Sequence, residues 1–289
     1  MKGKLFVFVI FAAILQSAYS LETHTDLSVY GSTNIEMQVG VTQDFIFPLG
    51  GKTPLTKDSN IDVKIEANLT PFSFELFGDG IWSPLPFLQL QAGLFLGTGI
   101  NYDMFGFIYF KGMGVNDRGN EENIIGNGLD GIVWNAHLAA TMQFDLAAFL
   151  PGAWNHFVIR YYNEIQYQAY TRANNGDWWY FKLGDGVNQN SFRYWYLLDV
   201  GYQMPIFFDY AGIRLDGLLP FYNPASGQDL TYQKFSFSGS LVLNFKATKW
   251  LSIRSLVRME NALKHPVNNN FDRELKFNGV MFIVTFHLK

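Results

Sequence analysis

The C-terminal part of the chain alternates between apolar and polar side chains with a period of two. In the last segment the apolar side chains fall on every second position: Val280, Phe282, Val284, Phe286 and Leu288. The segment that begins at Leu251 shows the same alternation. Successive side chains of a strand point to opposite faces, so each segment has one apolar face and one mixed or polar face. Because the pattern recurs along most of the chain, it predicts an all-β fold, a transmembrane antiparallel β-barrel.

The N-terminal residues have the features of a secretory signal peptide. Two lysines precede an apolar run over residues 5–15, and residues 18–20 (Ala-Tyr-Ser) form a small-x-small cleavage site. The run is too short to span a bilayer, although an uncleaved anchor is the alternative. The absence of cysteine excludes a lipoprotein signal, disulfides and thiolate metal sites. The predicted organisation is a signal peptide over 1–20 and a barrel domain over 21–289, exported to the outer membrane of a bacterium.

The composition after cleavage fits a membrane barrel better than a soluble protein. Cleavage would leave 19 Lys and Arg against 25 Asp and Glu, and this mildly acidic balance argues against a general nucleic-acid surface. Aromatic residues make up 17% of the chain, which suits girdles at two membrane interfaces. A soluble β-sandwich would also alternate. It is disfavoured because the alternating segments are long and no stretch has the pattern of a packed helix.

Counting segments of period two gives twelve strands. They are Asn34 to Phe47, Ile61 to Leu69, Phe72 to Gly80, Phe87 to Leu96, Tyr102 to Lys111, Gly131 to Leu146, His156 to Tyr170, Phe192 to Gln203, Phe208 to Leu218, Thr231 to Phe245, Trp250 to Glu260 and Lys276 to Leu288. The segment from Tyr102 is apolar on both faces, and ten strands remain if it is not a strand. If Trp178 to Leu183 crosses the membrane, the barrel is larger, with fourteen strands.

Short and long connections alternate between these strands. The short ones are Thr70-Pro71, Gly97 to Asn101, Pro151-Gly152, Met204-Pro205 and Lys246 to Lys249. The longer ones are Pro48 to Asn60, Gly112 to Asp130, Thr171 to Ser191, Leu219 to Leu230 and Asn261 to Leu275, with a short loop at 82–86 counted among them. Outer-membrane barrels have short periplasmic turns and long outer loops. The pattern therefore predicts both termini in the periplasm.

The face opposite the apolar one carries charges whose sign changes along the chain, and these are the candidate pore-lining residues. The first half contributes one base and seven acids: Glu36, Asp44, Asp62, Lys64, Glu66, Glu75, Asp79 and Asp145. The second half contributes seven bases and four acids: Arg160, Glu164, Arg193, Asp199, Arg214, Asp216, Lys234, Lys246, Arg254, Arg258 and Glu260. Strands follow chain order around a barrel, so an acidic arc is predicted to face a basic arc. Across a narrow pore such a field orients dipolar solutes; in the alternative, a filled barrel, the charges pair with neighbours.

Three arginines are predicted to form a ladder on one part of the wall. Arg254 and Arg258 lie four positions apart on one strand, and Arg214 lies two strands earlier. Guanidinium groups offer a planar fork of donors, so such a ladder suits carboxylate or phosphate groups. Asp216 lies two residues from Arg214, and neutralisation by this carboxylate is the alternative interpretation.

Catalysis and metal binding find little support in the sequence. None of the five histidines has an obvious serine or carboxylate partner by strand register. The acidic residues of the segment 116–122 lack the spaced Asp, Asn and Gly pattern of a calcium loop. The chain is therefore expected to be no enzyme and to use no cofactor or metal.

The turn Lys246 to Trp250, followed by a strand, and the closing strand Lys276 to Lys289 resemble those of bacterial outer-membrane β-barrel, porin-like proteins, and the chain is similar to barrels of spirochaetal outer membranes. The resemblance is one of pattern and has no diagnostic motif. It implies insertion by the barrel-assembly machinery, which reads the last strand. The family usually ends on an aromatic residue, whereas here Phe286 is followed by three further residues.

Two functions follow from this pattern as hypotheses. The first is a channel for passive diffusion of small polar or charged solutes, with membrane lipids around it. The second is a closed barrel whose outer loops act as an adhesin or bind ligands, for which Asn174, Asn175, Trp178 and Trp179 are candidates because exposed aromatic side chains often anchor contacts.

Overall fold

Twelve antiparallel strands close into a barrel in which each strand pairs with its neighbours in the chain and the last strand pairs with the first. The computed structural model describes residues 21–33, 36–104, 108–110, 113–116, 124–125, 129–182, 188–223, 235–263 and 273–288. The barrel strands are β1 (Glu22–Ser32), β2 (Met37–Pro48), β3 (Asn60–Leu69), β4 (Ser73–Leu85), β5 (Leu88–Gly99), β6 (Val133–Asp145), β7 (His156–Tyr170), β8 (Ser191–Gln203), β9 (Phe208–Pro220), β10 (Ser236–Thr248), β11 (Leu251–Leu263) and β12 (Arg273–Leu288). The predicted signal peptide lies outside the described residues and stays a prediction.

The outside of the barrel is apolar because the strands alternate as the sequence predicts. Exposed side chains on the outer face include Val39, Val41, Leu94, Leu138, Ile213, Leu241 and Phe282. Where β11 begins, Trp250 stacks on Phe286 of β12, with ring centroids 6.3 Å apart. Soluble proteins do not leave apolar belts of this extent exposed, whereas lipid covers them in a transmembrane barrel. Within the described residues, no helix has the length and apolar character needed to cross a membrane.

The strand count of twelve is right, but two predicted assignments are wrong and cancel each other. The predicted strand Tyr102 to Lys111 is not among the twelve barrel strands: its described parts, Tyr102–Met104 and Ile108–Phe110, pair with each other in a separate two-stranded sheet. Its place in the count is taken by β1, in a segment that precedes the first predicted strand. β1 pairs with β2 and with β12, for example Val29 with Val39 and Val284. The barrel closes only because this strand is present.

Because the first strand was not predicted, β2 to β5 run in the direction opposite to the predicted one. We call the end of the barrel that holds both chain termini the terminal end, and the opposite end the loop end. The connections at the loop end are 33–36, 70–72, 100–132, 171–190, 221–235 and 264–272; those at the terminal end are 49–59, 86–87, 146–155, 204–207 and 249–250. The three longest connections thus lie together at the loop end, as in barrels with long outer loops.

Four predicted connections therefore lie at the wrong end. The loops at 48–60 and 82–86, predicted to be outside, lie at the terminal end. The turns at 70–71 and 97–101, predicted to be periplasmic, lie at the loop end. Strands alternate in direction, so omitting one strand inverts the predicted direction of every strand after it. The falsely predicted strand from Tyr102 inverts the predictions again, and the predicted directions from β6 onward are therefore correct.

Candidate functional site: the lumen

The predicted pore-lining residues that the structure places in strands lie on the lumen face of the wall. Asp44 of β2 pairs in register with Lys64 of β3, which pairs with Asp79 of β4. In the other half Arg160, Asp199 and Arg214 are consecutive partners on β7, β8 and β9. The remaining candidates on this face are Glu66, Glu75, Glu164, Arg193, Asp216, Arg254, Arg258 and Glu260. Glu36 lies in the turn before β2, and Lys234 lies outside the described residues.

The side of the lumen formed by β2 to β4 is acidic. We define the acidic wall as Asp44, Asp62, Lys64, Glu66 and Glu75. Lys64 Nζ lies 3.7 Å from Asp44 Oδ1, and it is the one cation of this wall. Buried Oδ1 atoms of Asp44 and Asp62 accept no hydrogen bond among the described residues. The wall therefore keeps an excess of negative charge toward the lumen.

The side formed by β7 to β11 is basic. We define the basic wall as Arg160, Arg193, Arg214, Arg254 and Arg258. Two of these arginines are held by carboxylates. Arg214 donates to both carboxylate oxygens of Asp199, at 2.7 and 3.0 Å, and Arg258 Nη2 donates to Asp216 Oδ2 at 3.2 Å.

The predicted arginine ladder is thus partly neutralised, but Arg254 is not. Among the described residues no side-chain hydrogen bond or ion pair holds Arg254 or Arg160, and both are exposed to the lumen. Arg254 has Arg160, Arg214, Asp199 and Tyr210 as electrostatic neighbours. Three guanidinium groups share one carboxylate there, so this part of the basic wall is positive.

Strand order places the two walls on opposite sides. β3 and β9 are six strands apart in a ring of twelve, which is half of the circumference. With ordinary strand spacing and tilt, a ring of this size has a backbone diameter of about 24 Å. Fixed charges of opposite sign on facing sides of a lumen create a transverse electric field, which is strong because the walls have a low dielectric constant. A water-filled lumen of this kind can orient polar solutes and favour charged over apolar ones.

Two of these carboxylates have imidazole partners that the sequence did not reveal. His137 Nε2 lies 2.9 Å from Asp79 Oδ1, and His156 Nδ1 lies 2.8 Å from Asp145 Oδ2. The expectation that histidines lack carboxylate partners is therefore wrong. Strand register alone does not show it for His137, because its direct register partner is Gly93 and Asp79 is one strand further away.

At the loop end, the described parts of two long connections lie inside the barrel. Trp178–Phe181 pairs with Met113–Asn116, which pairs with Ile124–Ile125, in a small sheet separate from the barrel. We call Trp178–Lys182 the inner segment. Trp178 and Trp179 are each 1% exposed. They are therefore neither an exposed anchor for a ligand nor part of an outer aromatic girdle, and the alternative that 178–183 crosses the membrane is wrong.

The inner segment is fixed to the barrel wall by packing and by an ion pair. Phe181 packs edge-on against Phe95 of β5, with ring centroids 5.8 Å apart. Gly97 permits this approach, since a Cβ there would lie within 2.5 Å of the Phe181 ring. Lys182 Nζ lies 2.6 Å from Glu75 Oε1, and the Glu75 side chain is 2% exposed. The inner segment thus spans from β7 and β8 to β4.

The inner segment leaves open space on its far side. A cavity of about 510 Å³ lies between Lys182 and the wall formed by β11, β12, β1 and β2. Its lining includes Tyr30, Glu36, Arg258 and Glu260, so both signs of charge face it. A second cavity of about 180 Å³ lies beneath the inner segment. The described part of the lumen is therefore narrowed at the loop end but not filled.

The described residues contain no group of three or more His, Asp or Glu side chains placed to hold a metal ion. The expectation that the chain uses no metal or cofactor stays a prediction.

Sequence reasoning missed two kinds of functional residue. Asp26 and Tyr30 lie on β1, whose alternation of Leu27 and Val29 with polar residues is a signal that was present but short. Lys182 is not part of any alternating segment. Its partner Glu75 is 107 positions away, and no spacing rule predicts such a contact.

No protein-family model matches this sequence, and no curated protein matches it. The chain is similar to several solved structures. The KdgM porin has 8% identity and a TM-score of 0.41, with 92% of this chain and 98% of that chain covered. The NanC porin has 7% identity and a TM-score of 0.43, with 93% and 100% covered. CdiB from Acinetobacter baumannii has 10% identity and a TM-score of 0.41, with 92% and 60% covered.

Proposed function

We propose that the chain is an outer-membrane channel through which small polar or charged solutes diffuse passively, without a cofactor. The observation that carries the proposal is the pair of exposed arginines, Arg160 and Arg254, on a positive wall that faces a negative wall. Charges that only fill space in a closed barrel pair with their neighbours, as Arg214 and Arg258 do. Two cations without partners among the described residues are available to a passing solute or to water.

The inner segment sets the width of the path. It occupies the side of the loop end near β4 to β8, so solutes pass on the side of β11, β12 and β1. There Lys182, Arg258 and Glu36 face the 510 Å³ cavity, which is large enough for a small polar molecule but not for a folded polypeptide. The preferred solutes are therefore small and carry charge or many hydroxyl groups.

The cellular setting of the proposal follows the sequence predictions. The chain is exported through its cleaved signal peptide and inserted by the barrel-assembly machinery, with lipids around its apolar belt. The terminal end faces the periplasm and the loop end faces outward, because long loops are tolerated on the outer side.

Solute flux into vesicles tests the proposal. Residues 21–289 are refolded into liposomes, and the swelling rate is measured in isotonic solutions of sugars of increasing size. We expect swelling with monosaccharides that falls steeply with solute size. Liposomes that hold the same chain without folding are the control. A folded barrel that gives no more swelling than this control contradicts the channel.

The adhesin hypothesis stays untested, but it loses its main support. The two tryptophans proposed as exposed anchors are buried, and Trp178 packs against Tyr222 with ring centroids 5.5 Å apart. No described feature of the loops favours adhesion over solute passage.

A further inference from the structure

A serine, a histidine and an aspartate meet at the terminal end of the lumen. Ser252 Oγ lies 3.1 Å from His287 Nε2, and His287 Nδ1 lies 2.8 Å from Asp26 Oδ1. The two ring nitrogens thus contact different partners, one a hydroxyl and the other a carboxylate. This is the arrangement in which a carboxylate orients an imidazole that takes a proton from a serine.

The barrel builds this arrangement across three adjacent strands. Asp26 of β1 is the direct register partner of His287 of β12. Ser252 of β11 pairs with Thr285, two residues before His287, so it reaches the imidazole diagonally. All three side chains lie on the lumen face. The His287 and Asp26 side chains are 41% and 32% exposed, so the group is open to water and to solutes.

Two cations lie next to the serine. Lys246 is the register partner of Ser252 across β10 and β11, and Arg254 follows Ser252 by two residues on the same face. Both side chains are exposed, and no hydrogen bond or ion pair engages either of them in the described residues. Cationic donors beside a nucleophile stabilise the negative charge that forms on a carbonyl oxygen during acyl transfer.

We propose that Ser252 and His287, with Asp26 as the positioning residue, hydrolyse small esters that carry an anionic group at the periplasmic mouth of the barrel. This activity goes beyond solute passage and does not depend on it. It differs from the expectation that the chain is no enzyme, which relied on histidines without serine or carboxylate partners.

The chemistry is complete with an ester and water as reactants. Ser252 Oγ attacks the carbonyl carbon while His287 Nε2 takes the hydroxyl proton. The bond between the carbonyl carbon and the alkoxy oxygen breaks, and His287 gives the proton to the leaving alcohol. Water then attacks the carbonyl carbon of the acyl-serine with His287 again as the base. The bond between that carbon and Ser252 Oγ breaks, His287 returns the proton to Oγ, and the acid leaves. Asp26 stabilises the imidazolium that forms in each step.

A purely structural role, in which the same three residues only stabilise the contact between the first and last strands, is the alternative. The test must distinguish this structural role from catalysis. A fluorophosphonate probe reacts with activated serines, forming an O–P bond as fluoride leaves. The refolded chain 21–289 is treated with this probe and the modified residue is located by peptide mass spectrometry. We expect Ser252 to be labelled in the folded barrel and not in the unfolded chain.

Variants make the assignment specific. Ser252→Ala and His287→Gln are expected to lower the labelling rate at least about 100-fold. Ser28→Ala, which removes a lumen serine that donates instead to the backbone oxygen of Gly40, should label as the wild type does. Asp26→Asn should slow labelling, with recovery in Asp26→Glu, at an unchanged folded fraction. Hydrolysis of the anionic ester 4-nitrophenyl hydrogen succinate should be faster than that of the uncharged ester 4-nitrophenyl acetate. Ser252→Ala should abolish both activities.

Three results would overturn the proposal. The first is a folded barrel that takes up no probe, and the second is uptake at another serine. The third is a set of Asp26 and His287 variants that change only the resistance of the barrel to heat in detergent, which indicates a structural role alone. Channel conductance is measured on the same samples, so failure of the hydrolase and failure of the channel can be told apart.

Discussion

Removing Lys182 should release the inner segment from the barrel wall. Its ammonium lies 2.6 Å from the carboxylate of Glu75, which is 2% exposed. Taking one partner from a buried ion pair costs about 3–5 kcal/mol, because it leaves an uncompensated buried charge. The Lys182 side chain is 29% exposed and already partly solvated, so we expect about 2–3 kcal/mol for Lys182→Met.

This cost should appear as local opening and not as unfolding of the barrel. The inner segment does not belong to the barrel ring, so it can detach while the twelve strands remain paired. Hydrogen exchange of the backbone amides of residues 178–182, followed by mass spectrometry, measures this opening. A change of 2–3 kcal/mol corresponds to a loss of protection of about 30- to 150-fold.

Two controls make the result specific to the ion pair. Lys57→Met removes a loop lysine that lies 3.9 Å from Asp58, and both side chains are more than half exposed, so we expect a change below about 0.5 kcal/mol. Glu75→Gln combined with Lys182→Met removes the buried charge as well and should restore part of the protection. Unchanged protection in Lys182→Met, or a double variant as poorly protected as the single one, refutes the reasoning.

Three further predictions concern other parts of the wall. Arg254→Gln should lower the ratio of anion to cation permeability about two- to threefold in 0.1 M salt, because it removes an unpaired lumen charge under partial screening. The reversal potential in a salt gradient measures this ratio. It should be unchanged in the control, Arg258→Gln combined with Asp216→Asn, which keeps the net charge. Asp199→Asn leaves Arg214 without its two-point ion pair and should cost about 2–4 kcal/mol in urea unfolding from lipid vesicles, whereas loss of the exposed Glu22 carboxylate should cost little. Leu241→Arg should cost about 2–4 kcal/mol in the same assay, because Leu241 lies in the middle of the outer face of β10 and a charge is costly mainly at the bilayer midplane. Thr248→Arg, at the end of that strand, should cost about 0–1 kcal/mol. Equal costs would argue against a lipid-facing β10.

The wall of the barrel was predictable because a strand between lipid and water must alternate. That constraint acts residue by residue, and it places Asp44, Arg160 and Arg254 on the lumen face without knowledge of their contacts. It fails for β1, whose apolar face is short, with Leu27 and Val29 between small or polar neighbours. The closure of the ring supplies the partners that make this strand stable, and closure is a property of the whole barrel.

The contents of the lumen were not predictable for a different reason. The inner segment is rich in aromatic residues, and such a sequence suits an interface girdle, an exposed anchor or a buried core equally well. Its burial depends on contacts such as that between Phe181 and Phe95, which no periodicity encodes. The contact between Asp26 and His287 joins residues 261 positions apart and exists only because the first strand closes on the last.

Single-channel conductance of the refolded chain 21–289 in a planar bilayer, measured across a salt gradient, tests the channel most directly. The opposed acidic and basic walls predict discrete open steps and a reproducible ion preference that shifts toward cations in Arg254→Gln. A folded and inserted barrel that stays electrically silent, in the wild type and in Lys182→Met alike, would contradict the channel.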